Sequence, residues 1–331
     1  MASHRPPLWQ GWQVQLDSPT KPLDSAPSTV RAAVTRHRSP NTGEGWTALL
    51  YLAPWLIGLG GLVIVPIGLA IYWSFTNYNL LTAPHWTGVA NYATLFHDPV
   101  FLQSVANTLT ITIIGVAAGT VMALGAAFLL NRQSRTIRAF RTAIFLPAIV
   151  PPVATAIGWI FILNPQYGIL NQILSKFGIA NIGWLDDPHY AKLGLLMMML
   201  WGTIGQIMIV FLAALQEIPT DLHEAAAVDG AGKGRIFRTI TLPLLMPVIL
   251  YCVVVATLFY FQFFEQAFVV SPNDLGAPVN STMTYALYIY QQAFGYLHMG
   301  EAAAMSVMLL LVSGTVTGIF FWLSKKFGSL S

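Results

Sequence analysis

The chain is 331 residues long, 55% of them hydrophobic and only 9% charged. Soluble domains carry roughly 25% charged residues, so this composition excludes an ordinary water-soluble enzyme or a nucleic-acid-binding module and leaves a protein embedded in a lipid bilayer. The net charge of +3 says less than where the basic residues fall, and a single cysteine, Cys252 in an apolar run, rules out an internal disulfide.

Residues 1–45 are rich in Pro, Ser, Thr and Arg, lack helical periodicity and read as a disordered tail, too polar and too long for a cleaved signal. A bilayer crossing takes about 20 apolar residues as helix. Six segments reach that length, near 46–75, 101–130, 140–163, 191–215, 242–270 and 302–323. The expected class is therefore an all-α membrane protein with six transmembrane helices over 46–325, followed by a short C-terminus at 326–331. Basic residues mark the cytoplasmic side. With the N-terminus inside, all of the 16 Lys and Arg but Lys176 and Lys192 lie on that side, in the tail, the loop of Arg132, Arg135, Arg138 and Arg141, the loop of Lys233, Arg235 and Arg238, and the end at Lys325 and Lys326. Both termini and the loop between the fourth and fifth spans are then cytoplasmic.

That loop, 217–243, is the most ordered polar interruption of the chain. Pro219-Thr220-Asp221 starts a helix, with Thr220 as a possible cap and Asp221 at the positive end of the dipole. Ala225, Ala226 and Ala227 favour helix while leaving the backbone approachable. Gly230 and Gly232 suit the left-handed turn that ends such a helix. An amphipathic stretch follows, apolar at Ile236, Phe237 and Ile240, basic at Lys233, Arg235 and Arg238, and Pro243 opens the next span. A short helix lying across the membrane face between two spans can transmit a push; an ordinary interfacial loop with alanine filler is the plainer alternative. Gly230-Ala231-Gly232-Lys233-Gly234 imitates a phosphate-binding loop, but Ala227 and Gly234 break the pattern and no strand precedes it.

Glu224-Ala225-Ala226-x3-Gly230, with Ile240-x-Leu242-Pro243 beyond it, resembles the signature loop of permease subunits of bacterial ATP-binding-cassette importers. Further motifs are similar to the carbohydrate branch of that family: Gly88-x2-Asn91-Tyr92, Asp98-x2-Phe101, Asn107-Thr108-Leu109, Asn164-Pro165-x2-Gly168-x2-Asn171, Tyr288-x-Tyr290-x3-Phe294 and Gly300-x-Ala302-x-Ala304. The likeness covers roughly 45–325 and leans toward the larger permease of the maltose-importer type. One segment departs from it: Ser271 to Pro278 stands where the family often shows Thr-x-Gly-Gly-Pro. The resemblance implies a type I importer permease fold in the bacterial inner membrane, with a coupling helix docked on an ATPase through Glu224, Ala225, Ala226, Asp229, Gly230 and Phe237. It implies no cofactor on this chain, ATP and magnesium being used by two copies of the ATPase. The implied partners are a second, homologous permease and an external solute-binding protein that delivers a sugar, met by loops that Gly88, Asn91, Asn164 and Gly168 shape.

A solute path needs polar groups at mid-depth, which are costly in lipid and face the bundle interior. Thr203 and Gln206 fall near the middle of the fourth span, and Phe259, Tyr260, Gln262 and Phe263 near the middle of the fifth, with 259 and 263 on one helical face. Aromatic rings beside amides and hydroxyls suit a sugar; the same rings can equally just pack between helices. In the larger maltose permease these two spans hold the sugar, and the resemblance carries that role to Thr203, Gln206, Phe259, Tyr260 and Phe263. Glu265, the one acid within a span, is open to a gate or path role and to a structural hydrogen bond. No Lys or Arg lies in the middle of any span, which favours a neutral sugar over a sugar phosphate. His85, His97, His189 and His298 are scattered outer residues without ligand spacing, and Asp186-Asp187 before Pro188 reads as turn chemistry. An ion-gradient-driven secondary transporter would call for internal repeats and paired intramembrane charges, which the chain lacks.

Overall fold

A computed structural model describes residues 42–271 and 274–328. Of the expected tail at 1–45 only 42–45 are described, and of the end at 326–331 only 326–328; the rest lie outside the described residues. By internal contacts the chain divides at Val63 into two units. The described part of the first is a helix, α1 (Thr42–Leu59), opening into a π-turn at Gly60–Ile64. Leu50, Tyr51 and Ile57 on α1 are exposed, as lipid-facing side chains are.

The second unit holds α2 (Val65–Ser74), α3 (Ala90–His97), α4 (Pro99–Leu129), α5 (Arg135–Phe145), α6 (Pro152–Ile162), α7 (Ile169–Ser175) and α8 (Pro188–Glu217). It continues with α9 (Thr220–Val228), α10 (Lys233–Ile236), α11 (Leu242–Phe261), α12 (Glu265–Val270), α13 (Tyr285–Tyr290) and α14 (Met299–Gly328). Among the described residues there is no strand, only one isolated bridge between Thr76 and Trp86.

Two Asp-Pro pairs start the long helices. Asp98 Oδ1 accepts the Val100 amide at 2.9 Å ahead of α4, and Asp187 Oδ1 accepts the His189 amide at 2.9 Å ahead of α8. In each, proline fills a first-turn position whose missing N–H costs nothing and aspartate satisfies a free amide. The bond to the His189 backbone, and then one to its ring, hold the exposed Asp187 carboxyl below the usual carboxylate range. The turn chemistry read from Asp186-Asp187-Pro188 is thus a helix cap.

Among the described residues, five helical stretches are long and apolar enough to cross a membrane: Leu49–Ser74, Pro99–Leu129, Pro188–Glu217, Lys233–Val270 and Met299–Lys325. The sixth expected span, 140–163, is not a straight helix. Arg135–Ile149 and Pro152–Ile162 meet at a 104° bend. Pro147, Pro151 and Pro152 each remove an amide donor, and the last two push the residues before them, Val150 and Pro151, to extended backbone. The eleven residues of α6 rise only about 16 Å, roughly half of a hydrocarbon core, so this crossing counts only as a bent pair.

Helix α4 packs along α8 and against α11, while α14 packs on α2 and α11. Two clusters make the core: one around Phe101, Ile111, Leu195, Met198, Tyr260, Phe263 and Met283, the other around Ala127, Met208, Phe211, Leu245 and Cys252. In lipid, close helix approach through small residues replaces the hydrophobic drive. A Cβ on Gly205 of α8 would stand 2.3 Å from the Ile144 carbonyl oxygen, and one on Gly115 of α4 would stand 2.2 Å from the Tyr260 ring. These glycines set how near α5 and α11 come.

Candidate functional site

The segment after α8 forms an elbow between the fourth and fifth spans. Helix α9 has Pro219 at its N-terminal boundary and Asp221 in its first turn, without a side-chain cap. Thr220, expected to cap, lies inside the helix instead, because the extended backbone before it falls one residue earlier, at Pro219. At the other end the Ala231 amide donates to Ala226 O at 2.9 Å and the Gly230 amide to Ala227 O at 3.1 Å, the paired bonds of a Schellman stop. Gly230 has φ +78°, the left-handed conformation this stop requires. Gly232, expected to share that role, has φ −70° and starts α10 in extended backbone.

Glu224, Ala225, Asp229 and Gly230 are exposed, and Ala226 is half-buried. Phe237 is half-buried too, edge-on to Phe128 of α4 with centroids 5.4 Å apart. Its ring therefore anchors the elbow to the bundle, with Ile236 and Ile240 half-buried beside it in sequence and Lys233, Arg235 and Arg238 exposed. The sequence reading passed over His223, whose Nε2 lies 3.2 Å from Thr241 Oγ1 at the start of the fifth span. The one signal for it was its place in the helix a turn ahead of Ala226 and Ala227, about 100° round from Glu224.

The mid-depth residues separate into two sets. Thr203 is 7% exposed, its hydroxyl donating to Met199 O at 2.9 Å and lying 3.5 Å from the Tyr260 hydroxyl. Tyr260 is 1% exposed and lies against Gly115, and Phe263 is 3% exposed in the same core. These three knit α4, α8 and α11 together. By contrast Gln206, Gln262 and Glu265 are exposed, and Phe259 is 46% exposed. The expected face shared by 259 and 263 does not exist, because α11 ends at Phe261 and helix resumes only at Glu265. At this interruption the Phe263 carbonyl accepts the Thr284 hydroxyl at 3.0 Å, and Phe264 O accepts the Phe268 amide at 2.9 Å. Irregular backbone inside a spanning segment persists only where its polar groups are satisfied or meet water. Glu265 opens α12 just beyond that break.

At the end of α8 far from the elbow, a cavity of about 380 Å³ is lined by Asn164, Pro165, Asp186, Ser271, Asp274 and Pro278, among others. The loops around it are clamped by side-chain amides. Asn91 Nδ2 donates to Ser74 O and Thr76 O at 2.8 Å each, and Asn107 Nδ2 to Asn280 O and Met283 O at 2.8 and 2.9 Å. Asn171 donates to Ile182 O at 2.9 Å and accepts the Trp184 indole N–H at 3.0 Å. Tyr288 donates to Asp98 and receives Gln292 at 2.7 Å; burial, then the Asp98 carboxylate, push its phenol up. Among the described residues no group of three His, Cys, Asp or Glu is placed to hold a metal.

A sequence-family profile described as "Binding-protein-dependent transport system inner membrane component" matches residues 115–328. The chain is similar to the probable ABC transporter permease protein YesP of Bacillus subtilis, 36% identical over 82% of this chain and 88% of that one. It is also similar to the lactose transport system permease protein LacF of Rhizobium radiobacter, 32% identical over 90% and 99%. The sulfoquinovosyl glycerol transport system permease SmoG of Agrobacterium fabrum is 32% identical over 84% and 90%. Among solved structures, a chain of a bacterial ABC transporter involved in import of the acidic polysaccharide alginate superposes with a TM-score of 0.74, at 24% identity, over 86% of this chain and 96% of that one. This likeness carries the fold, the all-α type I importer permease fold that the sequence motifs implied.

Proposed function

This chain belongs to the binding-protein-dependent transport inner-membrane components, and from that premise we propose that it imports a neutral sugar as one of two paired permeases driven by separate ATPase subunits. As a member of that family it is a transport subunit in a membrane and not an enzyme. The observation that carries the mechanism is the elbow: an exposed two-turn helix, stopped at Gly230, spliced between two spans and pinned by His223 and Phe237. Glu224, Ala225, Ala226, Asp229 and Gly230 form its docking face. ATP-driven closure of two ATPase subunits on this face and on its counterpart pulls the elbows together. Because His223 ties α9 to Thr241 at the start of the fifth span, and Phe237 ties that same stretch to α4, the displacement moves the helices rather than bending the loop. The elbow end and both termini then face the cytoplasm, and the cavity lined by Asn164 and Asp274 faces the receptor that delivers the sugar.

The sugar passes along the side chains that the fold leaves unspent: Gln206 on α8, Phe259 on α11, Gln262 in the break and Glu265 just beyond it. Phe259 offers a ring to a C–H face, while the amides and the carboxylate offer partners to hydroxyls. Thr203, Tyr260 and Phe263 keep the positions of those groups rather than touch the solute. Names of relatives span lactose, sulfoquinovosyl glycerol and sn-glycerol-3-phosphate, so family alone does not choose the charge of the cargo. The exposed residues of this path include one acid, Glu265 near the end of its span, and no Lys or Arg, which favours a neutral ligand over an anionic one.

Gly230→Asp tests the reading in the assembled importer. Expected are normal membrane insertion, loss of uptake, and ATP hydrolysis that no longer responds to solute-loaded receptor. Undiminished uptake by this variant overturns the elbow mechanism.

A further inference from the structure

Between the end of α4 and the end of α8, on the elbow side of the bundle, lies a cavity of about 420 Å³ lined by Arg132, Gln133, Ser134, Arg138, Arg141 and Gln216. It holds three guanidinium groups and no carboxylate. Among the described residues no acid comes within ion-pair distance of any of the three, the ion pairs found there being His189–Asp187 and His298–Glu301. Arg141 is fixed from behind: Nε and Nη2 donate to Leu130 O at 3.2 and 2.7 Å, and Nη2 to Arg132 O at 3.1 Å. Those bonds use one edge of its fork and shape the 130–132 turn that places Arg132.

The helix carrying Arg138 and Arg141 is built for a membrane surface. Its Ile137 and Ile144 pack into the second core cluster with the half-buried Arg141 between them on the same face, while Arg135, Arg138 and Phe140 are exposed. Leu129 and Phe128, next to the turn that Arg141 holds, are exposed as well. A basic cavity at the ends of spanning helices that also carry the exposed Phe128, Leu129 and Phe140 offers guanidinia to a phosphate and a hydrocarbon surface to what is attached to it.

We propose that this cavity binds the phosphate of an anionic phospholipid in the leaflet on the elbow side. Arginine suits the task because its planar fork meets phosphate oxygens in pairs. The side-chain amides of Gln133 and Gln216 add neutral donors. Since Gln216 is one residue from the end of α8 and α9 starts at Thr220, an occupied cavity braces the base of the elbow. The inference goes beyond the transport reading and does not depend on the cargo; it shares with that reading only the assignment of the leaflet.

The full-length chain, purified in mild detergent, is assayed for co-purified lipid by mass spectrometry. Phosphatidylglycerol or cardiolipin is expected in excess over phosphatidylethanolamine, and Arg132→Gln with Arg138→Gln is expected to lower that excess by about fivefold per arginine removed. Arg135→Gln, on the same helix but outside the cavity, leaves it unchanged. Vesicles of phosphatidylglycerol raise the Tm of the native chain above its value in phosphatidylcholine, and do not do so for the double variant. Equal retention by the double variant overturns the proposal, as does an equal loss with Arg135→Gln, which would mean diffuse attraction. A Tm rise of the same size from inorganic phosphate alone assigns the cavity to a free anion and overturns the lipid. None of these readouts involves uptake, so failure here leaves the elbow mechanism standing, and a transport-dead chain that still selects anionic lipid refutes only the latter.

Discussion

The two ends of the bundle use motif residues in opposite ways. At the end away from the elbow, Asn91, Asn107 and Asn171 spend their amides inside the chain, the first two each bridging two backbone carbonyls and Asn171 joining the Ile182 carbonyl to the Trp184 indole, and Gly300 lets α14 pass close to the Thr76 carbonyl. At the elbow end, Glu224, Ala225, Asp229 and Gly230 stay exposed and, among the described residues, bond to no side chain. The contrast separates residues that hold a shape from residues that wait for a partner. Both kinds stand out equally as motifs in a sequence, and only their contacts tell them apart.

Substitutions can break that contrast or sharpen it. Asn107→Leu strands the Asn280 and Met283 carbonyls and is expected to cost about 2–4 kcal/mol by thermal unfolding in detergent. Glu224→Gln, at the other end, leaves Tm unchanged while reducing uptake; a Tm loss there would erase the distinction. Gly115→Ala presses a methyl into the Tyr260 ring and costs about 1–3 kcal/mol, and pairing it with Tyr260→Leu gives a combined loss smaller than the sum of the two singles. Gly230→Val forces a branched residue to φ +78° at a cost of about 1–2 kcal/mol, seen as reduced uptake, whereas Gly230→Asn, which tolerates that backbone, keeps most activity. His223→Ala removes one bond to Thr241, worth about 1 kcal/mol, and weakens the coupling of ATP hydrolysis to uptake before it changes stability.

Much of the helix layout is legible because lipid imposes a simple length and polarity rule. Runs of apolar residues placed five spans, and the Glu224 to Pro243 order placed the elbow and its glycine stop. The bend in the third segment was also written, in Pro147, Pro151 and Pro152, but apolar length alone masks it. The interruption at Gln262 to Phe264 has no such mark: neither proline nor glycine is there, and it depends on the Thr284 hydroxyl, 21 residues on, taking the Phe263 carbonyl. The arginine cavity was likewise visible only as a positive loop that set orientation, since Gln216 comes to it from a helix far along the chain.

The amino-acid order alone determined that this is a helical membrane chain, which segments lie in lipid, and where the cytoplasm-facing elbow is expected, because those properties follow from local composition and spacing. Tertiary structure decided which polar and aromatic side chains remain free. Thr203 and Gln206 stand one turn apart on α8, yet one is closed against Tyr260 and the other is exposed. A helix can face a neighbour on one side and an open path on the other, and no periodicity within it says which side the neighbour takes.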